Sequence, residues 1–123
     1  MTIKELYAKI GGNYDQAVRV MKSDRLIDKY VRKLTASQVA ESLAEAGKTM
    51  DPVKLFESAH AMKGVCSNLG LESLTNAVNE ITEEFRPGNT RRLSDADVQS
   101  RLDAIAKQYE ITAEGIRDYE QGK

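Results

Sequence analysis

The sequence predicts an all-α protein: an antiparallel up-down four-helix bundle with one or two short additional N-terminal helices. Three observations carry this. Apolar residues recur three and four apart along most of the chain, which is the period of an amphipathic helix. Strand signals are nearly absent, with no alternating run of β-branched and aromatic residues and no Asn-Gly or Asp-Gly turn. The two prolines, Pro52 and Pro87, both fall where helices would begin or end.

Taken in order, Thr2 and Glu5 have the spacing of a capping box and open a short helix that Gly11-Gly12 closes. Asn13 can cap a second short helix reaching about Met21. Ser23-Asp24 starts a longer segment with Ile27, Tyr30, Val31 and Leu34 on one stripe. Thr35 or Ser37 can break or re-cap it before Val39 and Leu43 carry it on to Gly47, so residues 24–46 read as one bent helix or two. Asp51 is a good N-cap and Pro52 suits the first helical position, where its missing N–H is no loss. That helix should run to about Leu69, with Gly70 as its left-handed terminator. Leu71, Leu74, Val78, Ile81 and Phe85 mark the next helix, ended by "RPGN". Ser94 and Asp97 open the last, whose stripe is Val98, Leu102, Ile105, Tyr109, Thr112, Ile116 and Tyr119. Short connections make consecutive long helices antiparallel neighbours.

A chain of 123 residues fits one domain, 1–123, with a single continuous core. Hydrophobic residues at 41% and charged residues at 30% mark an ordinary globular composition. With 18 basic and 19 acidic side chains and no block of one sign, there is no electrostatic footprint for nucleic acid or an anionic membrane. No segment has the apolar run of a signal peptide or a membrane span. The single Cys66 can form no intrachain disulfide and lacks the partners of a zinc site. The expectation is a reduced, cytoplasmic protein; the Met1 start and charged C-terminal tail favour a free-standing one.

The candidate chemistry lies in "AHAMKGVCSNLG", which holds the only histidine. At about 100° per residue, Leu55, Ala59, Met62, Cys66 and Leu69 fall within a stripe about 80° wide that should face the core. His60 lies roughly 140° from its centre, so it points to solvent, whereas Cys66 reads as a small buried hydrophobe. Lys63 is one turn on, on the flank between His60 and the core. Gly64 shares the outward face, with Ser67 near it. Helical side chains lean towards the N-terminus, so a large residue at 64 would cover the turn that carries His60. Glycine there, with small Ala61, leaves the ring uncovered. An exposed imidazole is largely neutral and nucleophilic near pH 7. If it took a phosphoryl group, the Lys63 ammonium could screen the added charge. The chain shows no Gly-rich phosphate loop, no Walker-type Gly-Lys-Ser/Thr and no clear acidic metal cluster. It has the means to carry a phosphoryl group and none to take one from ATP.

"AHAMKGVCSNLGL" closely resembles the phosphorylation-site helix of histidine-containing phosphotransfer (HPt) domains. In that family lysine follows the histidine at +3, glycine at +4 and +10, and a small or polar residue near +8; here these are His60, Lys63, Gly64, Gly70 and Asn68. "LESLTNAVNEITEEF" is similar to the family's partner helix, and "YAKIGGNYDQAVRVM" to the lead-in helices of bacterial examples. The resemblance implies a phosphorelay intermediate and not an ATP-using enzyme. His60 would accept a phosphoryl group from one receiver-domain aspartate and pass it to another, with Lys63 stabilising the phosphate. Implied partners are response-regulator receiver domains and a hybrid histidine kinase. The receiver would supply Mg²⁺, this chain would need no cofactor or metal of its own, and a monomer is the family-level expectation. Phe56, Ala61, Gly64 and Ser67 would then form the docking surface; Phe56, at its rim, reads equally well as core edge.

Three other readings compete. A sensor-kinase phosphoacceptor helix would place an acidic residue directly after the histidine and proline at +5, where Ala61 and Val65 stand. A di-iron bundle could use Glu57 and His60 as one Glu-x-x-His pair, but it needs a second pair and inward-facing glutamates. A non-phosphorylated helical adaptor that binds a signalling partner is opposed only by the combination of His60, Lys63 and Gly64.

Overall fold

The computed structural model describes residues 1–122, which contain seven helices and no strand. They are α1 (Ile3–Ile10), α2 (Tyr14–Met21), α3 (Asp24–Ala36), α4 (Val39–Thr49), α5 (Pro52–Asn68), α6 (Glu72–Phe85) and α7 (Asp95–Glu120). The expected caps are in place. Thr2 and Glu5 make a complete capping box, and the side chains of Asn13, Ser23, Asp51 and Ser94 each accept a backbone N–H of the following turn.

The open question about residues 24–46 resolves as two helices. Ser37 takes an extended backbone (φ −84°, ψ 166°), and its hydroxyl donates to Leu34 O at 2.8 Å, ending α3. Yet α3 and α4 act as a single broken arm antiparallel to α7. Asp28 meets Tyr119, Leu34 meets Tyr109, and Ala40 and Leu43 border Leu102 and Ile105. One long helix faces both pieces because α7 has 26 residues, about 39 Å at the usual rise.

Two expectations along this arm need correction. Gly47 does not end α4, which continues to Thr49 and closes on Met50 in the left-handed region (φ 53°). A Cβ at Gly47 would lie 2.6 Å from Leu102 Cδ1, so the glycine is there to let α4 approach α7. Tyr30 is not a core residue: it stays 37% exposed, with the ammonium groups of Lys29 and Lys33 over its ring. A phenol at the edge of the stripe keeps its hydroxyl in water and gives its ring face to the cations.

The other arms are α5, α6 and α7. Residues 69–71 turn α5 back along α6, so that Phe56 meets Arg86 near the far end of the hairpin. Antiparallel α6 and α7 are fastened by the Glu80–Arg101 ion pair. The connection between them is organised by Glu84, a buried carboxylate that accepts the backbone N–H groups of Arg92 (2.9 Å) and Leu93 (2.7 Å) with Arg91 beside it. The core is continuous and includes Leu55, Ala59, Met62, Cys66 and Leu69 of the α5 stripe, the expected α6 residues, and Val98, Leu102, Ile105, Tyr109 and Ile116 of α7; Thr112 is buried beside them, whereas Tyr119 is only half-buried at the core's edge. Burial pushes the Cys66 thiol up to about 12, so it stays protonated and unreactive.

The short helices brace the end of the bundle near Gly70. Tyr7 of α1 is buried and donates its hydroxyl to Leu69 O at 2.6 Å. Asn13 N–H donates to Gly70 O at 2.8 Å, tying the start of α2 to the end of α5.

The bond from the Tyr119 hydroxyl to Asp28 (2.6 Å) fastens α3 to the end of α7. Together with Arg32 it holds the Asp28 carboxyl below its ordinary value. A depressed carboxylate stabilises the fold above its unfolded pKa, and that contribution is lost as pH falls through the folded value. Tyr119→Phe should therefore cost about 1 kcal/mol near neutrality, a charge-assisted bond discounted for solvent exposure. The penalty should shrink in acid below the ordinary aspartate range, as urea titrations at the two pH values would check.

Candidate functional site

Pro52 and the Asp51 cap start α5 cleanly, and its apolar stripe turns one face to the core. The opposite face carries His60, which is exposed, as are Ala61, Gly64, Ser67 and Asn68. A Cβ added to Gly64 would meet nothing within 4 Å, so the space beyond that position is open. Glycine is not required there by the packing of the bundle. Glu57 is also exposed, and no group of three or more His, Cys, Asp or Glu side chains suited to a metal occurs among the described residues.

Phe56 and His60, one turn apart, are stacked with ring centroids 5.4 Å apart and planes 15° from parallel. Phe56 is half-buried against the core, and the Arg86 guanidinium from α6 lies over its ring, 5.3 Å from the centroid. Arg86 is gripped by Glu83, its Nε donating to Oε2 at 2.7 Å and its Nη2 to Oε1 at 3.3 Å. Asn89 Nδ2 donates to Glu83 O at 2.9 Å, closing the turn after α6. Arg86 precedes Pro87, and that position disfavours helix; its extended backbone (φ −61°, ψ 130°) ends α6 beside Phe56.

Lys63 is half-buried on the flank towards α6. The bond from Arg86 holds the Glu83 carboxyl below its usual range, with the charges of Arg86 and Lys63 and a bond from Asn89 adding to it. The cluster thus sets the exposed imidazole against an aromatic ring whose other neighbour is the Arg86 guanidinium, with Glu83 holding Arg86 and sharing the field of Lys63. Of the residues expected from sequence, His60, Phe56, Lys63, Ala61 and Gly64 come together. Ser67 lies about 10 Å farther along α5, beside a groove with Gln16, Gly70, Glu72, Thr75 and Asn76.

Glu83 and Arg86 were not among the expected site residues. Their signal was present in the hairpin arithmetic: with the turn at 69–71, residues 56 and 86 are equally distant from Leu71.

A family model, Hpt domain, matches residues 31–114. The chain belongs to the Hpt domain family. No curated protein and no solved structure gives a significant match. An Hpt domain takes part in histidine-containing phosphotransfer in two-component signalling, as a phosphocarrier without kinase machinery of its own. The matched span begins within α3 and ends within α7, so it covers the second half of α3, all of α4, α5 and α6 and most of α7, and leaves α1 and α2 outside. Among the described residues no helix is long and apolar enough to cross a membrane.

Proposed function

We propose that this Hpt domain is a monomeric cytoplasmic relay intermediate, with His60 as the phosphoacceptor between two receiver-domain aspartates. The observation that carries this reading is the exposed imidazole opposite the core face of α5, with open space at Gly64 and the Lys63 ammonium one turn away. An unprotonated ring nitrogen attacks the phosphorus of a receiver's aspartyl phosphate. The N–P bond forms as the P–O bond breaks, and the aspartate leaves as a carboxylate. The reverse step hands the group to a second receiver. Receivers supply Mg²⁺ for this chemistry; this chain contributes the nucleophile, a cation for the phosphoryl oxygens and an unobstructed approach. A hybrid histidine kinase is the expected source of the phosphoryl group.

The direct test is incubation with a receiver pre-phosphorylated on its aspartate, followed by recovery of this chain. An acid-labile, alkali-stable label is the expected result, and an alkali-labile label or none would refute the reading. Two variants refine it. Gly64→Leu should slow transfer by about tenfold or more by covering the imidazole, while the helix gains up to about 1 kcal/mol in propensity. Normal transfer rates in that variant would remove the clearance role. Lys63→Ala should shorten the lifetime of the phosphohistidine or slow its formation about fivefold, the effect of losing roughly 1 kcal/mol from a half-exposed charge contact. Decay of the isolated phosphoprotein is the measurement.

A further inference from the structure

An imidazole on an exposed helix face samples several rotamers, and only some direct a ring nitrogen at an incoming phosphorus. His60 makes no side-chain hydrogen bond among the described residues; its specific side-chain contact is the Phe56 ring. The centroid separation of 5.4 Å is within the favourable range for aromatic pairs. A nearly parallel stack occupies one face of the imidazole and leaves its edge, where both nitrogens lie, unobstructed. Phe56 is in turn held from two sides, by the core beneath it and by the Arg86 guanidinium on its ring. Arg86 is oriented by its two bonds to Glu83, and Asn89 fixes the adjoining turn.

We infer that Phe56 is a positioning residue for the His60 imidazole, locked in place by the Arg86–Glu83 pair of α6. This rests on the phosphocarrier reading and changes the part assigned to Phe56: the ring acts on its neighbour one turn away and not on the incoming partner. The C-terminal end of α6 therefore helps orient the nucleophile without touching the phosphoryl group.

Docking and positioning are separable by experiment. Phe56→Leu keeps an apolar side chain and removes the ring, whereas Phe56→Tyr keeps the ring. In the wild-type protein the ring current of Phe56 should displace the carbon-bound ring-proton resonances of His60 upfield. The displacement should vanish in Phe56→Leu, persist in Phe56→Tyr and weaken in Arg86→Gln. Single-turnover transfer from a phosphorylated receiver should slow about tenfold at saturating receiver in Phe56→Leu, with an unchanged half-saturation concentration. Phe56→Tyr should stay near the wild-type rate. A raised half-saturation with an unchanged maximal rate would overturn the inference in favour of docking, as would His60 resonances that do not respond to Phe56→Leu. Failure of the wild-type protein to take label on His60 would overturn the phosphocarrier reading, and this role with it. The resonance shifts need no phosphoryl group, so they tell the two failures apart.

Discussion

His60→Gln is expected to abolish the acid-labile label completely while leaving the helical content and thermal midpoint close to wild type. Glutamine matches the imidazole in polarity and approximate length but has no nucleophilic nitrogen, because its amide lone pair is delocalised. The side chain at position 60 is exposed on the outward face of α5, so no core contact is lost. Glutamine is at least as good a helix former as histidine, so the fold should lose no more than a few tenths of a kcal/mol with the Phe56 stack. Label persisting on this variant would move the acceptor elsewhere. The only cysteine is a poor substitute, since Cys66 is fully buried and its thiol is held protonated.

Gly70→Ala should be the most damaging small change to the fold, costing about 3 kcal/mol from left-handed backbone strain and a steric clash together. Gly70 sits at φ 67°, where an L-residue is strained in any surroundings. A Cβ there would also lie 2.5 Å from Asn13 O and 3.1 Å from Ala17 N, both backbone atoms that cannot rotate away. The start of α2 would have to move off α5, loosening the Asn13–Gly70 backbone bond and disturbing the neighbouring bond from Tyr7 to Leu69. Gly11→Ala is the control. Its φ of 72° is similar, but no atom lies within 4 Å of its Cβ position, so it should cost only the strain, about 1–2 kcal/mol. Thermal denaturation should show Gly70→Ala lower by about 10 °C, and Gly11→Ala by about a third to two thirds of that. Equal losses would mean that the close approach of α2 to α5 contributes nothing.

The contrast between these two glycines marks how far the sequence reaches. Both read as terminators, because a glycine after an apolar-periodic run signals a left-handed cap whatever surrounds it. Gly47 gave the same local signal, yet it lies inside α4, where Leu102 requires the missing side chain. Capping is a matter of a few neighbouring residues, whereas close approach depends on a helix more than fifty residues away.

Periodicity and caps by themselves determined the all-α class, nearly all of the helix boundaries, the burial of Cys66 and the outward direction of His60. Each follows from backbone hydrogen bonding within a turn or from the rotation of about 100° per residue within one helix. They could not say which helix lies beside which edge of the site, because the phase of one helix carries no information about its neighbour. Only the tertiary structure decided that Arg86 and Glu83 from α6 reach the Phe56 ring, and that Lys63 faces the same carboxylate. Helix packing set by the shared core brings Arg86 onto the ring of Phe56, thirty residues away in the chain. The direction in which His60 points and its neighbour Phe56 one turn away were written locally; the Arg86–Glu83 pair that backs the Phe56 ring is a product of packing.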